Sequence, residues 1–445
     1  MKSIFVIGAG RSSSSLISYL LNEAQTENWK VKVGDVSHEL AQQKIQGHSN
    51  GEAVAFDINS DEALHAEINQ ADLVISMLPA NLHGKVAMKC LELRKNLVTA
   101  SYVSEEMQSF NEAAKNSGII FLNEIGLDPG IDHMSAMKII DHAKQGGEEI
   151  TLFKSYCGGL VAPESNDNPW GYKFSWNPRN VILAGQSTAQ YIENGEYKYI
   201  PYNRLFTQIE SISIEGLGNF DGYANRDSLS YRKPYGLDSI PTILRGTLRM
   251  TGYCKAWNVF VKLGLTDDSY QIKNASSLSY RALIEAFLPF GTGSTEEKLI
   301  HFMGKDMDEE VFGKIKWLGL FETTQIPLAN ASPAQILQNL LEGKWLLKPS
   351  DKDMIVMQHQ FETRNTSSQK RRKITSTLVV KGDDNYYTAM AKTVGLPMAI
   401  AAKKILKQEI QLTGVQIPVM KEIYEPVLNE LENLGICFTE KEVIE

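Results

Sequence analysis

The segment 123–176 holds the side chains of this chain that are best suited to proton chemistry. Asp128 stands between glycines and a proline in NEIGLDPGIDH, directly after an apolar run that predicts a strand. Cys157 is followed by Gly158 and Gly159, again where a predicted strand ends. Glycine and proline impose special backbone geometry there and let a backbone approach another group closely. Two such clusters at strand ends favour a ligand cleft, whereas a single one is more typical of an ordinary turn.

Three arginines in the middle of the chain form a second candidate group. Arg226 lies in YANRDS, and Arg245 and Arg249 lie in LRGTLRMTGY. Guanidinium groups bind carboxylates through two parallel hydrogen bonds and stay charged when buried. The three together predict a site for a substrate with several carboxylates. For each arginine taken singly, an ion pair with a surface acid is the alternative.

The first strand is followed by a turn that predicts dinucleotide binding. IFVIGAGRSS has the pattern Gly8-x-Gly10-x-x-Ser13, one small residue away from the GxGxxG fingerprint. Gly8 allows the tight turn, and Gly10 lets a pyrophosphate come close to the backbone. The following helix directs its N–H groups at the phosphates, where Arg11 and Ser12 add further donors.

Asp35 ends the second predicted strand, VKVGD, 25 residues after Gly10. An acidic residue at this place accepts hydrogen bonds from the adenosine ribose hydroxyls and repels a 2′-phosphate. The sequence therefore favours NAD over NADP.

These residues need a parallel sheet to bring them together. Six apolar runs alternate with helical segments, beginning at IFVI and continuing through VKVGD, VAFDI (54–58), DLVISML (72–78), LVTAS (97–101) and IIFLNE (119–124). This alternation predicts an α/β fold with a doubly wound Rossmann sheet. Residues at the carboxyl ends of its strands are candidate cofactor contacts, with an ordinary turn as the alternative for each: Asp57, Ile58, Leu78, Ala100 and Ser101.

The rest of the chain predicts a second α/β domain and a helical insertion. The strand TLFKSYCGG and several later antiparallel-type strands fit an open mixed sheet that carries the substrate site. The last long helix, interrupted or kinked near Gly395 and Pro397, is expected to pack back on the first domain. The predicted domains are a dinucleotide-binding domain (1–125 and 390–445), a substrate domain (126–254 and 349–389) and a helical insertion (255–348).

Composition narrows the functional class. The chain has 445 residues and a net charge of −8, which argues against a general nucleic-acid surface. Its four cysteines form no CxxC pair, and its histidines have no metal-site spacing, so we expect neither a metal nor a disulfide framework. No apolar run approaches the roughly 20 residues of a membrane span. With no signal peptide predicted at the N-terminus, the expectation is a cytoplasmic protein.

Four motifs resemble one enzyme family over nearly the whole chain. NEIGLDPGIDH, SYCGGLVAPESNDNPWGYKFSW, YANRDS and RGTLR, behind the glycine turn, are similar to the L-glutamate-forming saccharopine dehydrogenases, also called saccharopine reductases. The resemblance implies oxidation of saccharopine with NAD or NADP to an imine, which is hydrolysed to glutamate and 2-aminoadipate semialdehyde. It also implies a homodimer and a role in lysine metabolism.

The resemblance implies roles for individual residues. The substrate-contacting positions are Ser101, Tyr102, Asp128, Arg226, Thr247, Leu248 and Arg249. Cofactor contacts are implied at Leu127, Asp128, Pro129 and Ser175, in addition to those of the first domain. For proton transfer the candidates are Asp128, Tyr102 and Cys157, with Asp128 ranked first.

Two departures and two alternatives remain. NADP-dependent members tend to carry a basic or hydroxyl pair where this chain has Asp35-Val36-Ser37, which favours the NAD-linked, lysine-degrading type; Arg11 instead favours an additional phosphate. A related carboxynorspermidine or homospermidine dehydrogenase would share the imine chemistry, although the three arginines count against it. The other alternative is a non-catalytic dinucleotide-binding regulator.

Overall fold

The computed structural model describes residues 1–184 and 186–444. Within the chain, two compact units can be distinguished. The first comprises Met1–Ile150, Thr363–Arg372 and Leu378–Glu445, and the second comprises Thr151–Glu362 and Lys373–Thr377.

The first unit is built on a seven-stranded parallel sheet. Its strands are β1 (Ser3–Ile7), β2 (Lys30–Asp35), β3 (Gly51–Ala55), β4 (Leu73–Ser76), β5 (Asn96–Thr99), β6 (Ile120–Leu122) and β15 (Gly414–Gln416). They lie in the order β15-β6-β5-β4-β1-β2-β3, and every neighbouring pair is parallel. The order reverses at β1, as in a doubly wound sheet, so the predicted Rossmann fold is confirmed. Because β1 and β4 are buried on both faces, they read as continuous apolar runs.

Nine helices of the described residues belong to this unit. They are α1 (Ser14–Glu27), α2 (His38–Ile45), α3 (Asp61–Gln70), α4 (His83–Glu92), α5 (Glu105–Ser109), α6 (Asn111–Asn116), α7 (Ile131–Gln145), α15 (Ala389–Leu406) and α16 (Lys421–Asn433). Four begin at a serine or threonine whose side chain accepts a backbone N–H of the first turn, namely Ser37, Ser60, Ser104 and Thr388.

The helix α15 is continuous, so an interruption near Gly395 and Pro397 is wrong, whereas a kink there stays a prediction. It is one helix of 18 residues that contains Pro397. The helix is buried along most of its length and packs along α1, and this packing offsets the hydrogen bond that proline cannot make. A Cβ on Gly395 would lie 3.0 Å from Leu16, so glycine permits the close approach of the two helices.

A second sheet has nine strands and is mixed, as predicted. Its strands are β7 (Glu148–Val161), β8 (Ala189–Glu193), β9 (Glu196–Ile200), β10 (Glu210–Ile214), β11 (Gly218–Ala224), β12 (Thr242–Met250), β13 (Asp353–Asn365), β14 (Arg371–Lys381) and β16 (Phe438–Ile444). The main path runs β10-β11-β12-β7-β13-β14-β16, and β8 joins β9 to β12. β12 is antiparallel to β11 but parallel to β7.

The second unit contains seven α-helices among its described residues. They are α8 (Pro178–Ile182), α9 (Tyr202–Leu205), α10 (Tyr253–Leu263), α11 (Tyr280–Phe287), α12 (Thr295–Met303), α13 (Glu309–Leu318) and α14 (Pro333–Trp345). Trp170, Trp257 and Trp345 are buried and pack in one aromatic cluster with Tyr172 and Tyr253. None of the described helices combines the length and apolar character that crossing a bilayer requires.

Candidate active site

The turn after β1 has the geometry that a dinucleotide-binding loop requires. Gly8 has a φ of +108°, and a Cβ there would lie 3.2 Å from the Cβ of Met77. Gly10 is exposed, and nothing lies within 4 Å of the position of an added Cβ. The hydroxyl of Ser13 donates to the carbonyl of Gly10 at 2.8 Å and closes the turn. The space beside Gly10 is therefore free of protein atoms, as the approach of a pyrophosphate requires. The loop fits a dinucleotide cofactor.

Asp35 lies at the carboxyl end of β2, beside this loop. One of its carboxylate oxygens accepts the N–H of Ala9 at 2.8 Å, and the other accepts the N–H of Ser37 at 3.0 Å. These bonds hold the negative charge next to the glycine turn. Asp35 is the last residue of β2, as predicted.

The other predicted cofactor residues of the first unit follow its strands closely. Asp57 is exposed and accepts the N–H of Asn59, as a turn residue does, whereas Ile58 is buried. The strand β3 ends at Ala55, earlier than predicted, so both residues follow the strand. The remaining members of the set occupy the glycine turn or the segments after β4 and β5, namely Arg11, Ser12, Leu78 and Ala100.

The structure brings Ser101 and Tyr102 next to the segment that contains Asp128. The N–H of Glu124 donates to the carbonyl of Ser101 at 3.1 Å. The Oε1 atom of Glu124 accepts the N–H of Val103 at 3.0 Å. Both hydrogen bonds involve Glu124, which lies just before the Asp128 turn, so the two predicted substrate-contacting segments are neighbours.

The Asp128 turn has the special geometry that its sequence predicts. The N–H of Gly126 donates to the carbonyl of Pro129 at 3.0 Å. Gly130 has a φ of +144°, and a Cβ on it would lie 2.1 Å from the carbonyl oxygen of Gly126. Only glycine fits at position 130. Leu127 and Pro129 are buried, and Asp128 is half-buried.

A buried carboxylate–imidazole pair supports this turn and was not predicted. The Oε2 atom of Glu124 lies 2.9 Å from Nε2 of His133, and both residues are buried. The neighbouring Asp132 accepts the N–H of Gly130 at 2.6 Å. Neither Glu124 nor His133 is among the residues predicted above for the site. The sequence signal that could have indicated this pair is the position of Glu124 before the two glycines and of His133 after them, because a turn at the glycines lets the two flanking segments face each other.

In the second unit, Cys157 lies opposite Thr247, where β7 and β12 run in parallel. The prediction that Cys157, Gly158 and Gly159 lie at a strand end is wrong, because β7 continues to Val161. A Cβ on Gly158 would lie 2.7 Å from the carbonyl oxygen of Leu248. The group that approaches this glycine closely is therefore the neighbouring strand.

Arg249 is a buried cation in a group of tyrosines. Its side chain is 4% exposed, and the guanidinium lies over the rings of Tyr172 and Tyr253, at 5.3 and 5.6 Å from their centroids. Nη1 donates to the carbonyl of Leu248 at 2.9 Å, whereas Nε has no hydrogen-bond partner in the described part of the chain. Asp221, its partner in the strand register, accepts the N–H groups of Gly252 and Cys254 instead.

Across residues 1–184 and 186–444, no carboxylate lies within ion-pair distance of Arg249. Burying a charge without a counter-ion costs free energy, and buried charges in proteins are therefore usually paired. The expectation that each arginine pairs singly with an acid does not hold for Arg249. The arrangement is suited to receive a carboxylate from outside the chain.

The other predicted residues of the second unit lie in different surroundings. Arg245 is buried, and its guanidinium lies 4.2 Å from the ring centroid of Tyr231. Arg226 is exposed on the segment after β11 and has a φ of +45°. The hydroxyl of Ser175 is buried and has no hydrogen-bond partner among the residues that the structure describes. Those residues also contain no group of three His, Cys, Asp or Glu side chains that could hold a metal ion.

Comparison with known proteins identifies the family. The sequence model described as "Saccharopine dehydrogenase NADP binding domain" matches residues 4–122. The model described as "Saccharopine dehydrogenase C-terminal domain" matches residues 126–436, well over half of the chain. The chain belongs to the saccharopine dehydrogenase family. The resemblance seen in the four motifs is therefore confirmed, and the first-domain match is to an NADP-binding domain.

Individual relatives agree with this assignment. "Alpha-aminoadipic semialdehyde synthase, mitochondrial" of Mus musculus is 39% identical over 100% of this chain, which spans 48% of that relative's length. "Saccharopine dehydrogenase [NADP(+), L-glutamate-forming]" of Schizosaccharomyces pombe is 34% identical over the full length of both chains. The solved apo saccharopine dehydrogenase (L-Glu forming) of Saccharomyces cerevisiae is 32% identical, with a TM-score of 0.89 over 100% of both chains.

Proposed function

We propose that this protein is an L-glutamate-forming saccharopine dehydrogenase. It would interconvert saccharopine with L-glutamate and 2-aminoadipate 6-semialdehyde, in the direction of lysine degradation. The observation that carries the proposal is Arg249, a buried cation to which the described residues bring no carboxylate partner. Saccharopine has three carboxylates, and a guanidinium binds such a group through two charge-assisted hydrogen bonds. The full-length relatives that carry this name support the same reaction.

In this proposal, a further set of residues contacts the substrate. Arg226 provides a second guanidinium, Thr247 and Leu248 adjoin Arg249 on β12, and Ser101 and Tyr102 bind from the segment after β5. A bound nicotinamide dinucleotide would supply the hydride acceptor. The turn from Gly8 to Ser12 would hold its pyrophosphate, and the rim residues of the first unit would hold the rest.

The protein itself must move protons. The secondary amine of saccharopine loses its proton before oxidation, a water molecule attacks the imine, and the departing amino group gains a proton. Asp128, Tyr102 and Cys157 are the proposed proton-transfer groups. Asp128 ranks first because it is half-buried on a rigid turn that adjoins the Ser101 segment.

The proposal includes a preference for NAD over NADP, although the first-domain match is to an NADP-binding domain. The carboxylate of Asp35 is held beside the glycine turn by two backbone N–H groups. A 2′-phosphate placed near this charge would be repelled, and one unfavourable interaction of about 1.4 kcal/mol is a tenfold loss. We expect kcat/KM with NAD to exceed that with NADP by about tenfold. A preference for NADP in the wild-type enzyme would contradict this part of the proposal.

The test is the formation of reduced nicotinamide when the protein is given saccharopine and either cofactor. We expect turnover, and we expect Asp128→Ala to lose about 100-fold or more in kcat. Asp238→Ala, at an exposed position, is the control and should retain activity. Absence of turnover with saccharopine would refute the proposed function. Near wild-type turnover of Asp128→Ala would remove only Asp128 from the mechanism.

A homodimer located in the cytoplasm is also part of the proposal. The homodimer is what the family resemblance implies, and the cytoplasmic location carries over the expectation stated from the sequence. Sedimentation velocity tests the oligomeric state, and cell fractionation tests the location.

A further inference from the structure

The imidazole of His83 lies among three hydroxyl groups at the carboxyl ends of β4 and β5. His83 is the first residue of α4 and is 4% exposed. Its Nδ1 lies 2.9 Å from the hydroxyl of Ser76, the last residue of β4. Its Nε2 lies 2.7 Å from the hydroxyl of Ser101 and 3.2 Å from that of Thr99, the last residue of β5. The imidazole thus connects a buried hydroxyl to Ser101.

Within the group formed by His83 and the three hydroxyl residues, only Ser101 is partly exposed. Ser76 and Thr99 are each 1% exposed, whereas Ser101 is half-buried. The backbone of Ser101 is also fixed, because its N–H donates to Thr99 Oγ1 at 3.3 Å and its carbonyl accepts the N–H of Glu124. The remaining freedom of Ser101 is rotation of its hydroxyl, and His83 is the group that restricts it.

His83 is a neutral imidazole. Burial lowers its pKa to about 4, so the ring carries a single proton at neutral pH. A neutral imidazole has one N–H donor and one acceptor nitrogen. This makes the hydrogen-bond series directional, since the ring can donate at one end only.

We propose that His83 is a positioning residue that turns the hydroxyl of Ser101 outward as a donor to a substrate carboxylate. The inference rests on the proposed function, in which Ser101 contacts a substrate with three carboxylates. A carboxylate only accepts hydrogen bonds, so the Ser101 O–H must point at it. The oxygen of Ser101 then accepts from Nε2–H of His83, and Nδ1 accepts from the hydroxyl of Ser76.

Kinetics of matched variants test the positioning role. His83→Asn retains a polar group near Ser76 but is too short to reach Ser101, whereas the longer His83→Gln reaches the position of Nε2. We expect KM for saccharopine to rise about tenfold in His83→Asn, the size of one lost hydrogen bond, with His83→Gln close to wild type. Affinity for the reduced cofactor, measured by fluorescence titration, should change less than KM does.

A double-mutant cycle separates positioning from a general packing effect. If His83 acts through Ser101, then His83→Asn should add little to Ser101→Ala. Full additivity of the two changes would overturn the inference. So would a His83→Gln enzyme as impaired as His83→Asn, or a His83→Asn enzyme with wild-type KM.

A readout that needs no activity distinguishes failure of this inference from failure of the proposed function. In histidine-labelled protein, nitrogen NMR reports the protonation of each of the eight rings, and the signal absent from His83→Asn identifies His83. We expect a neutral ring with its proton on Nε2, whose resonance shifts in Ser101→Ala. A proton on Nδ1, or a charged ring, would overturn the inference even if saccharopine is a substrate. The expected tautomer without saccharopine turnover would retain the His83–Ser101 geometry and refute the proposed function.

Discussion

Replacing Arg249 by methionine should raise the stability of the protein and lower its activity. Arg249 is buried, has no carboxylate partner among the described residues, and makes one hydrogen bond to a backbone carbonyl. Methionine has a similar length and no charge, so the variant removes the cost of burying an unpaired cation, which is several kcal/mol. It also loses two contacts with tyrosine rings, worth about 1–2 kcal/mol together, and the hydrogen bond. We expect the free energy of unfolding to rise by about 1 kcal/mol.

The same change should greatly weaken the reaction with saccharopine. Loss of one partner of a desolvated charge pair costs about 2–4 kcal/mol of binding, which is a fall of about 30-fold to 1,000-fold in kcat/KM. The assay combines steady-state kinetics with denaturant unfolding of the same preparation. The rise in stability is the diagnostic part, since a merely structural arginine would not produce it.

Arg281 is the matched control in the same unit. It makes two hydrogen bonds of 2.7 Å with the carboxylate of Glu296, and its guanidinium lies 6.0 Å from the ring centroid of Phe321. Arg281→Met should lower the free energy of unfolding by about 1 kcal/mol and leave kcat/KM unchanged. The reasoning fails if Arg249→Met loses stability as Arg281→Met does, or if it retains kcat/KM.

Three further predictions concern the supports of the site. Glu124→Gln should lower the free energy of unfolding by about 1–3 kcal/mol and reduce kcat/KM, because it removes the charge from a buried hydrogen bond; denaturant unfolding and kinetics check it, and an unchanged midpoint would contradict it. The pKa of His83 falls from 6.5 to about 4 on folding, so the unfolded state binds the proton first and stability should fall by up to about 3 kcal/mol as pH drops through this window. Urea midpoints across the window should show this loss, and His83→Gln should show less of it; equal slopes for both proteins would refute the prediction. Gly158→Ala should destabilise the protein by about 1–3 kcal/mol, because its methyl group would meet the carbonyl of Leu248, and a wild-type melting temperature would argue against that contact.

Most of the first sheet could be predicted because the residues that define its strands and its glycine turn are adjacent in the sequence. The buried strands β1 and β4 read as apolar runs, the turn at Gly8 and Gly10 follows β1 directly, and Asp35 ends β2. The strand β15 was not predicted as a member of this sheet. It has three residues, Gly414–Gln416, and only its pairing with β6 makes it a strand.

The features that were missed or misplaced depend on contacts between distant residues. A strand end was predicted at Cys157 because two glycines follow it, but β7 continues to Val161. Gly158 instead leaves room for the carbonyl of Leu248 on the neighbouring strand. Arg249 has no carboxylate partner among the described residues, and this depends on where distant segments of the chain lie. The ring of His83 acquires its partners only when β4 and β5 lie side by side.

The late position of β15 affects how the chain can fold during synthesis. Roughly 290 residues separate β6 from the strand that covers its outer edge. At about 5–20 residues per second, a ribosome needs about 15–60 s to produce them. During that interval the unpaired edge of β6 is open to association with other chains. We therefore expect the nascent protein to depend on chaperones until the residues around 414 emerge.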